Sequence, residues 1–503
     1  MGDGMEEASP GGGGAGKQRQ ISLVGLFLAC MVAGGVQYGW ALQLSLLTPY
    51  VQVQPCVGLY SDKCTSNLGR RRPFIFTGCV VICISVRASS SLETHGSSFL
   101  LLQLVIVIGF SSDIGYALGD TTEDCTVYTG KRLHAAAFFV MGFWLLDFSN
   151  NTVQGPARAL MADLAGTHGP SAANAIFVSW MAIGNILGYS SGSTNDWHKW
   201  FPFLQTRACC EACANLKGAF LVSVLFLGFS TIVTMVFANE VPLDPATAKA
   251  QSEGEPTGPM AVFKGLKNLP PGMPQVLIVT GLTWLSWFPF ILFDTDWMGR
   301  EMYHGRPDGS PAEIASFQEG VRQGAFGLLL NSVVLGFSSF LIEPMCRKLT
   351  AKVVWVMSSL IVCVAMAMVT VLSSWSLGDI GGNVQDAAAV DKGLKSAALA
   401  LFVSLGFPFA VLCSVPFAVT AQLAASKGGG QGLCTGVLNI SIVIPQMIIA
   451  VGSGPWDELF GKGNIPAFGV ASVFAFTSAI AGIVMLPKLS KTSFRAVSMG
   501  GGH

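Results

Sequence analysis

The sequence predicts an all-α transmembrane protein built of two helical bundles around a central cavity. Three observations predict it. Of the 503 residues, 51% are hydrophobic and only 12% are charged, about half the charge of a soluble protein. Twelve apolar stretches recur along the chain, most of them near the about 20 residues that one crossing requires. A polar segment divides these stretches into two sets of about six.

The elements follow in order. Residues 1–20 are Gly-rich with scattered charge and lack the apolar core of a signal peptide, which predicts a disordered cytoplasmic tail. Apolar stretches lie near 21–47, 74–86, 99–118, 134–157, 174–192 and 219–239, and then near 275–293, 322–342, 352–374, 395–420, 432–453 and 465–486. The stretch at 74–86 is short for a crossing. Residues 241–272 carry Pro242, Pro245, Pro256, Pro270 and Pro271 among Gly, Lys and Glu, which predicts a cytoplasmic linker. The expected domains are an N-terminal bundle over 21–240, a C-terminal bundle over 273–488 and a cytoplasmic tail over 489–503. Arg347 and Lys348 follow one span of the second half, and Lys488, Lys491 and Arg495 follow the last, all on one side. That side is cytoplasmic by the positive-inside rule, and the loop with Asp379, Asp386 and Asp391 falls opposite. Two sets of about six spans suggest the major facilitator architecture, whose bundles rock around a midplane site.

Composition also excludes function classes. A net charge of zero gives no electrostatic support for nucleic acid. There is no P-loop, catalytic triad or metal-ligand cluster, so neither an enzyme nor a bound cofactor is expected, and proton or ion coupling remains as the energy source. Of 13 cysteines, Cys30, Cys79, Cys83, Cys363, Cys413 and Cys434 lie in apolar stretches and are expected to pack. Cys209, Cys210 and Cys213 cluster in one loop, where a disulfide and free thiols are both open readings. The expected surroundings are a lipid bilayer, and the expected state is a monomer.

Four groups of residues can carry chemistry. Gly58, Asp62, Lys63 and Gly69, followed by Arg70, Arg71 and Arg72, resemble the gating loop after the second span of major facilitators; the alternative is a plain basic anchor. Asp147, Asn151, Gln154 and Arg158 fall at steps of four, three and four and share one helical face. A polar stripe in a span faces either a cavity or a structural network between helices. Asp147 and Arg158 stand about 16 Å apart along the axis and cannot pair directly. Burial favours the neutral form of a carboxylate, so Asp147 can cycle a proton. Arg158 stays charged and can donate several hydrogen bonds to sugar hydroxyls, and Asn150 and Asn151 add amide donors and acceptors. Trp284, Trp287 and Asp294 share an arc of the first span of the second half, and Asp296, Arg300 and Glu301 follow at its end. Aromatic rings beside polar groups suit a sugar, but tryptophan also belongs to interface belts. Gln431, Thr435, Asn439 and Gln446 form a last stripe, suited to a neutral polar ligand or to bonding between helices.

These residues sit in long strings that resemble plant sucrose transporters, a branch of the glycoside–pentoside–hexuronide cation symporters. The strings are Gly35 to Pro49, Arg70 to Pro73, Leu145 to Asp163 and Trp287 to Glu301. The resemblance implies sucrose carried inward with a proton, usually across the plasma membrane and in some members across the vacuolar membrane. It implies Asp147 as proton acceptor, Arg158 on sucrose, and Asp294, Arg300 and Glu301 at further charged transport positions. Maltose or another neutral glycoside, and a transport-defective or sensor variant, are the alternative readings.

The chain departs from that family twice. Gln52 runs directly into Val53 where family members have a loop and the second span, so about one span is missing, together with a histidine associated with sucrose. An insert over 87–104, containing Arg87, Glu93 and His95, interrupts the third span. One missing span predicts that the Arg70–Arg72 loop lies outside, unless 74–86 and 99–118 both cross.

Overall fold

The computed structural model describes residues 22–43, 72–73, 75–76, 107–120, 132–164, 168–193, 196–209, 211–238, 269–307, 309–378, 384–426, 431–460 and 463–487. The helices of the first half are α1 (Leu23–Ala29), α2 (Val32–Gln43), α3 (Val107–Ala117), α4 (Leu133–Leu164), α5 (Gly169–Ser193), the short α6 (Trp197–Trp200) and α7 (Glu211–Phe237). Those of the second half are α8 (Met273–Trp297), α9 (Pro311–Leu349), α10 (Ala351–Gly378), α11 (Val384–Ser404), α12 (Gly406–Ser426), α13 (Gln431–Phe460) and α14 (Ile465–Met485). Among the described residues there is no strand, only an isolated bridge between Thr206 and Cys209. Nine segments are long and apolar enough to cross a membrane, with α1–α2 and α11–α12 each counted as one. The 32 residues of α4 run about 48 Å, enough for a further crossing.

Lipid exposure explains the outer faces. Leu225, Phe229, Ile232 and Val236 on α7 are exposed at steps of four, three and four, and Val473, Phe476, Ile480 and Val484 on α14 at steps of three, four and four. A soluble protein would bury such stripes, whereas hydrocarbon solvates them. Inside the bundles, small residues and hydroxyls take over. A Cβ on Gly184 would stand 2.3 Å from the Gly34 carbonyl oxygen, so α2 and α5 touch backbone to backbone. Hydroxyl bridges tie the second half. Thr283 on α8 meets Ser478 on α14 at 2.8 Å, the Trp297 indole N–H donates to Ser373 on α10 at 2.6 Å, and the Asn331 amide on α9 donates to the Phe402 carbonyl on α11 at 2.8 Å.

Within the first half α2 packs on α5 and α7, and α3 on α4; within the second, α8 and α10 pack on α14, and α9 on α12. The halves meet where α5 lies against α9 and α12, and where α4 touches α13. The end of the bundles at which α7 stops and α8 starts, flanking the polar segment 241–272, is called inner here. Lys352 donates to the Leu486 carbonyl at 3.3 Å at this end, near the start of α10 and the end of α14.

This frame corrects the expectation for the basic loop. Arg72 donates to the carbonyl of Met235 near the end of α7, so it sits at the inner end. Asp113 on α3 pairs with Lys217 near the start of α7 at 2.5 Å, so α3 finishes at the outer end. From Lys217 to Met235 is about 27 Å of helix. Arg72 and Asp113 therefore stand at opposite ends of the bundle. Residues 87–104, the tails and most of the segment 241–272 lie outside the described residues.

Candidate functional site

Arg158 on α4 meets α5 and α12 at the junction of the two halves. Arg158 is held there by aromatic faces. Its guanidinium carbon lies 3.8 Å from the ring centre of Phe417 on α12 and 4.6 Å from that of Phe177 on α5. Nη1 donates to the Cys413 carbonyl on α12 at 3.3 Å, and Nη2 approaches the Met181 sulfur on α5 at 3.3 Å. Among the described residues no carboxylate pairs with Arg158. A charged group within a span requires such compensation, here from π-faces and a carbonyl. Pro156, two residues before Arg158, withdraws one N–H from the ladder of α4.

Beside Arg158 a small cavity of about 10 Å³ lies between α2, α4 and α5. Val36, Gln37, Gln154, Ala157, Phe177 and Met181 line it. That is room for about one water, so this conformation is closed around the cavity. Gln37 donates to Asn185 on α5 at 2.9 Å, and the Tyr38 and Ser191 hydroxyls meet at 2.5 Å. The sequence singled out Gln154 and Arg158 but missed Gln37, Asn185, Phe177 and Phe417. Gln37 and Asn185 carried a signal, as amides within apolar spans; the two phenylalanines carried none. The side chains of Asp147, Asn150 and Asn151 lie outside the described residues, on the backbone of α4.

The other candidates sit on α8 and α13. Trp287 is 2% exposed and packs against Phe290 and Phe409 within the second half, so it belongs to no interface belt. Trp284 is half-buried against Phe288. Asp294 is 4% exposed, accepts from its own neighbour Thr295 N–H at 2.6 Å, and lies within electrostatic reach of Tyr189 on α5. After α8 the chain makes a π-helical turn over Met298–Met302, which buries Glu301 and leaves Arg300 half exposed, paired with Asp296 at 2.9 Å. Asn439, Thr435 and Gln446 are buried on α13, while the side chain of Gln431 is outside the described set.

At the outer end of the first half, Cys209 and Cys213 are disulfide-bonded; Cys210 lies outside the described residues. Lys217 is buried with Asp113, and Arg132 donates to the Ala208 carbonyl at 3.1 Å, so the disulfide loop is anchored to neighbouring helices. Of the basic loop only Arg72 is described; Gly58, Asp62, Lys63, Gly69, Arg70 and Arg71 are not. No group of three metal-ligating side chains occurs among the described residues.

Two bundles meeting at polar helices, with lipid-facing flanks, define a secondary transporter of the major facilitator fold. Solved structures agree on the fold. The proton:xylose symporter XylE matches 94% of this chain and 98% of its own at 12% identity with a TM-score of 0.55. The E. coli fucose:proton symporter FucP matches 91% and 97% at 11% identity with a TM-score of 0.51. No family model matches the chain. Curated relatives are far closer. Sucrose transport protein SUT3 of Oryza sativa subsp. indica is 74% identical, covering 99% of this chain and 99% of the relative. Sucrose transport protein SUT1 of Oryza sativa subsp. japonica is 66% identical over 96% and 91%. The chain belongs to the plant sucrose transport protein family; it is a multi-pass membrane transporter and not an enzyme. The alignment with SUT3 runs over 523 positions against 503 residues here, so at least 20 positions hold a residue in the relative and none in this chain.

Proposed function

We propose that this chain carries sucrose across a plant membrane together with a proton. The observation that carries the reading is the 74% identity, over nearly the whole of both chains, with a sucrose transport protein. In this reading Arg158 donates hydrogen bonds to sugar hydroxyls, with Gln154, Asn150 and Asn151 around it and the Phe177 and Phe417 faces available to C–H surfaces. Asp147, about three turns away on α4, takes up the proton. Asp294, Asn439, Trp284 and Trp287 form the opposite wall, and Arg300 and Glu301 are charged positions at the outer end. Gly58, Asp62, Lys63, Gly69 and Arg70–Arg72 gate the inner end. The bundles span 21–240 and 273–488, joined by a cytoplasmic linker over 241–272, and the protein works as a monomer in the plasma membrane. The vacuolar membrane is the alternative location, which a fluorescent fusion distinguishes.

Uptake of labelled sucrose at acid pH in yeast, with and without a protonophore and with surface protein matched to an intact relative, tests the proposal. Protonophore-sensitive uptake is expected, and Asp147→Asn abolishes it. Retained pH-driven accumulation in that variant removes Asp147 from the role. A second reading is favoured by the at least 20 absent positions, about the length of one span. On that reading the chain is a transport-defective or regulatory form, and the result is no uptake despite equal surface protein.

A further inference from the structure

Asn464 stands immediately before α14 and makes two bonds to the outer end of α8. Its backbone N–H donates to Glu301 Oε1 at 2.9 Å, and its side-chain amide donates to Asp296 Oδ2 at 2.9 Å. Asparagine at this position ordinarily caps its own helix. Here the side chain makes no cap bond and reaches across to α8 instead. The preceding Gly463 has φ +61°, and a Cβ there would stand 2.7 Å from Glu301 Oε1. The loop therefore has the one residue that adopts this backbone without strain and admits the carboxylate. The Ser376 hydroxyl on α10 donates to the Glu301 carbonyl at 2.7 Å, fixing the same turn from another side.

We propose that Asn464 is a positioning residue that latches Asp296 and Glu301 to α14, so that the outer turn of α8 moves with the second bundle as one body. The consequence for transport rests on the sucrose:proton reading above. Two carboxylates five residues apart repel, and a neutral residue with two donors holds both without adding charge. The charged and titratable groups around the latch are Asp296 at the end of α8, Arg300 and Glu301 on the turn, and His304 beyond it. Lys395 from α11 sits 4.1 Å over Tyr303, and Glu313 lies on α9. Opening the outer mouth then requires the whole bundle to rock, not the end of α8 alone.

The test compares Asn464→Ala and Asn464→Asp with wild type at each of several pH values. Aspartate at 464 is a third carboxylate at neutral pH but regains a donor when protonated, and neighbouring carboxylates favour that protonation. Expected is a loss of sucrose uptake of at least about fivefold for Asn464→Asp near pH 7, recovering to within about twofold near pH 5, while Asn464→Ala loses uptake equally at both. A merely structural role lowers both variants by one factor at every pH and overturns the proposal, as does wild-type behaviour in both. Hydrogen exchange at the 464 backbone amide of the purified chain is read alongside. Exchange at least about tenfold faster in Asp296→Ala than in wild type supports the latch, and unchanged exchange overturns it. If wild type itself fails to take up sucrose, the transport reading falls while the exchange result still decides the latch.

Discussion

At the residue scale the site turns on how Arg158 is compensated. A guanidinium can lie flat between two rings and still point N–H groups outward, whereas an ammonium cannot. Arg158→Lys keeps the charge but loses the fork and the stacking against Phe177 and Phe417. The expected outcome is a fall in sucrose uptake of at least about tenfold at matched surface amounts. Phe417→Leu removes one face only, worth about 0.5–2 kcal/mol, and is expected to raise KM a few-fold with the maximal rate nearly kept. If Phe417→Leu matches wild type in KM, the ring supports neither arginine nor sugar. The polar stripe that revealed Arg158 was legible because hydrocarbon penalises each polar group and so leaves only useful ones. The rings were not legible, since a phenylalanine in a span is unremarkable until another bundle brings a cation onto it.

At the element scale, helix packing and helix starts carry separable predictions. Gly184 lets α5 touch α2, while Gly192 on the same helix has only the Leu42 side chain at 3.7 Å. Gly184→Ala is expected to destabilise by about 1–3 kcal/mol, because backbone cannot yield as a side chain does. Gly192→Ala is expected to be neutral or to stabilise by up to about 1 kcal/mol. Thermal unfolding in detergent at one scan rate separates them, and equal shifts would refute the close approach. At the start of α4, Asp120 Oδ1 accepts from the His134 backbone N–H at 2.9 Å, and Oδ2 from Ala135 N–H at 2.7 Å. Burial opposes the charge, but these bonds and His134 outweigh it and hold the carboxyl below its usual range. A depressed carboxyl stabilises the fold above its unfolded pKa of about 4. That stabilisation is lost as pH falls further, through the folded value. Hydrogen exchange in the first turn of α4 should therefore be unchanged between pH 7 and 5, after correction for intrinsic rates, and quicken below about pH 4; Asp120→Asn should lose this dependence. The helices themselves were largely legible from apolar runs. Trp287 was not, because its neighbour Phe409 comes from α12, which a helical wheel of α8 alone does not show.

At the scale of the whole molecule, the two-bundle plan was legible from the polar break at 241–272, and the family from long strings. The side on which the basic loop lies was not, because parity counting assumes that each apolar stretch crosses once. Arg72 lies at the end of α7 and Asp113 at its start, at opposite ends of the bundle. Transport by rocking requires the α5–α9 seam to open and close. There, a Cβ on Gly336 of α9 would stand 3.2 Å from the Ala182 Cβ on α5, close to the spacing of about 3.5–4.5 Å that a disulfide bridges. The pair Ala182→Cys with Gly336→Cys is therefore expected to cross-link under mild oxidant. The cross-link fixes one closed arrangement and stops uptake, and a reductant restores it to the level of the unoxidised pair. Each single cysteine variant should be indifferent to oxidant, since the described free cysteines are buried or half-buried. Full uptake with the cross-link formed, verified by altered mobility after cleavage in the 241–272 segment, would show that the bundles need not part along this seam. In that case the movement would have to occur at the α4–α13 contact instead.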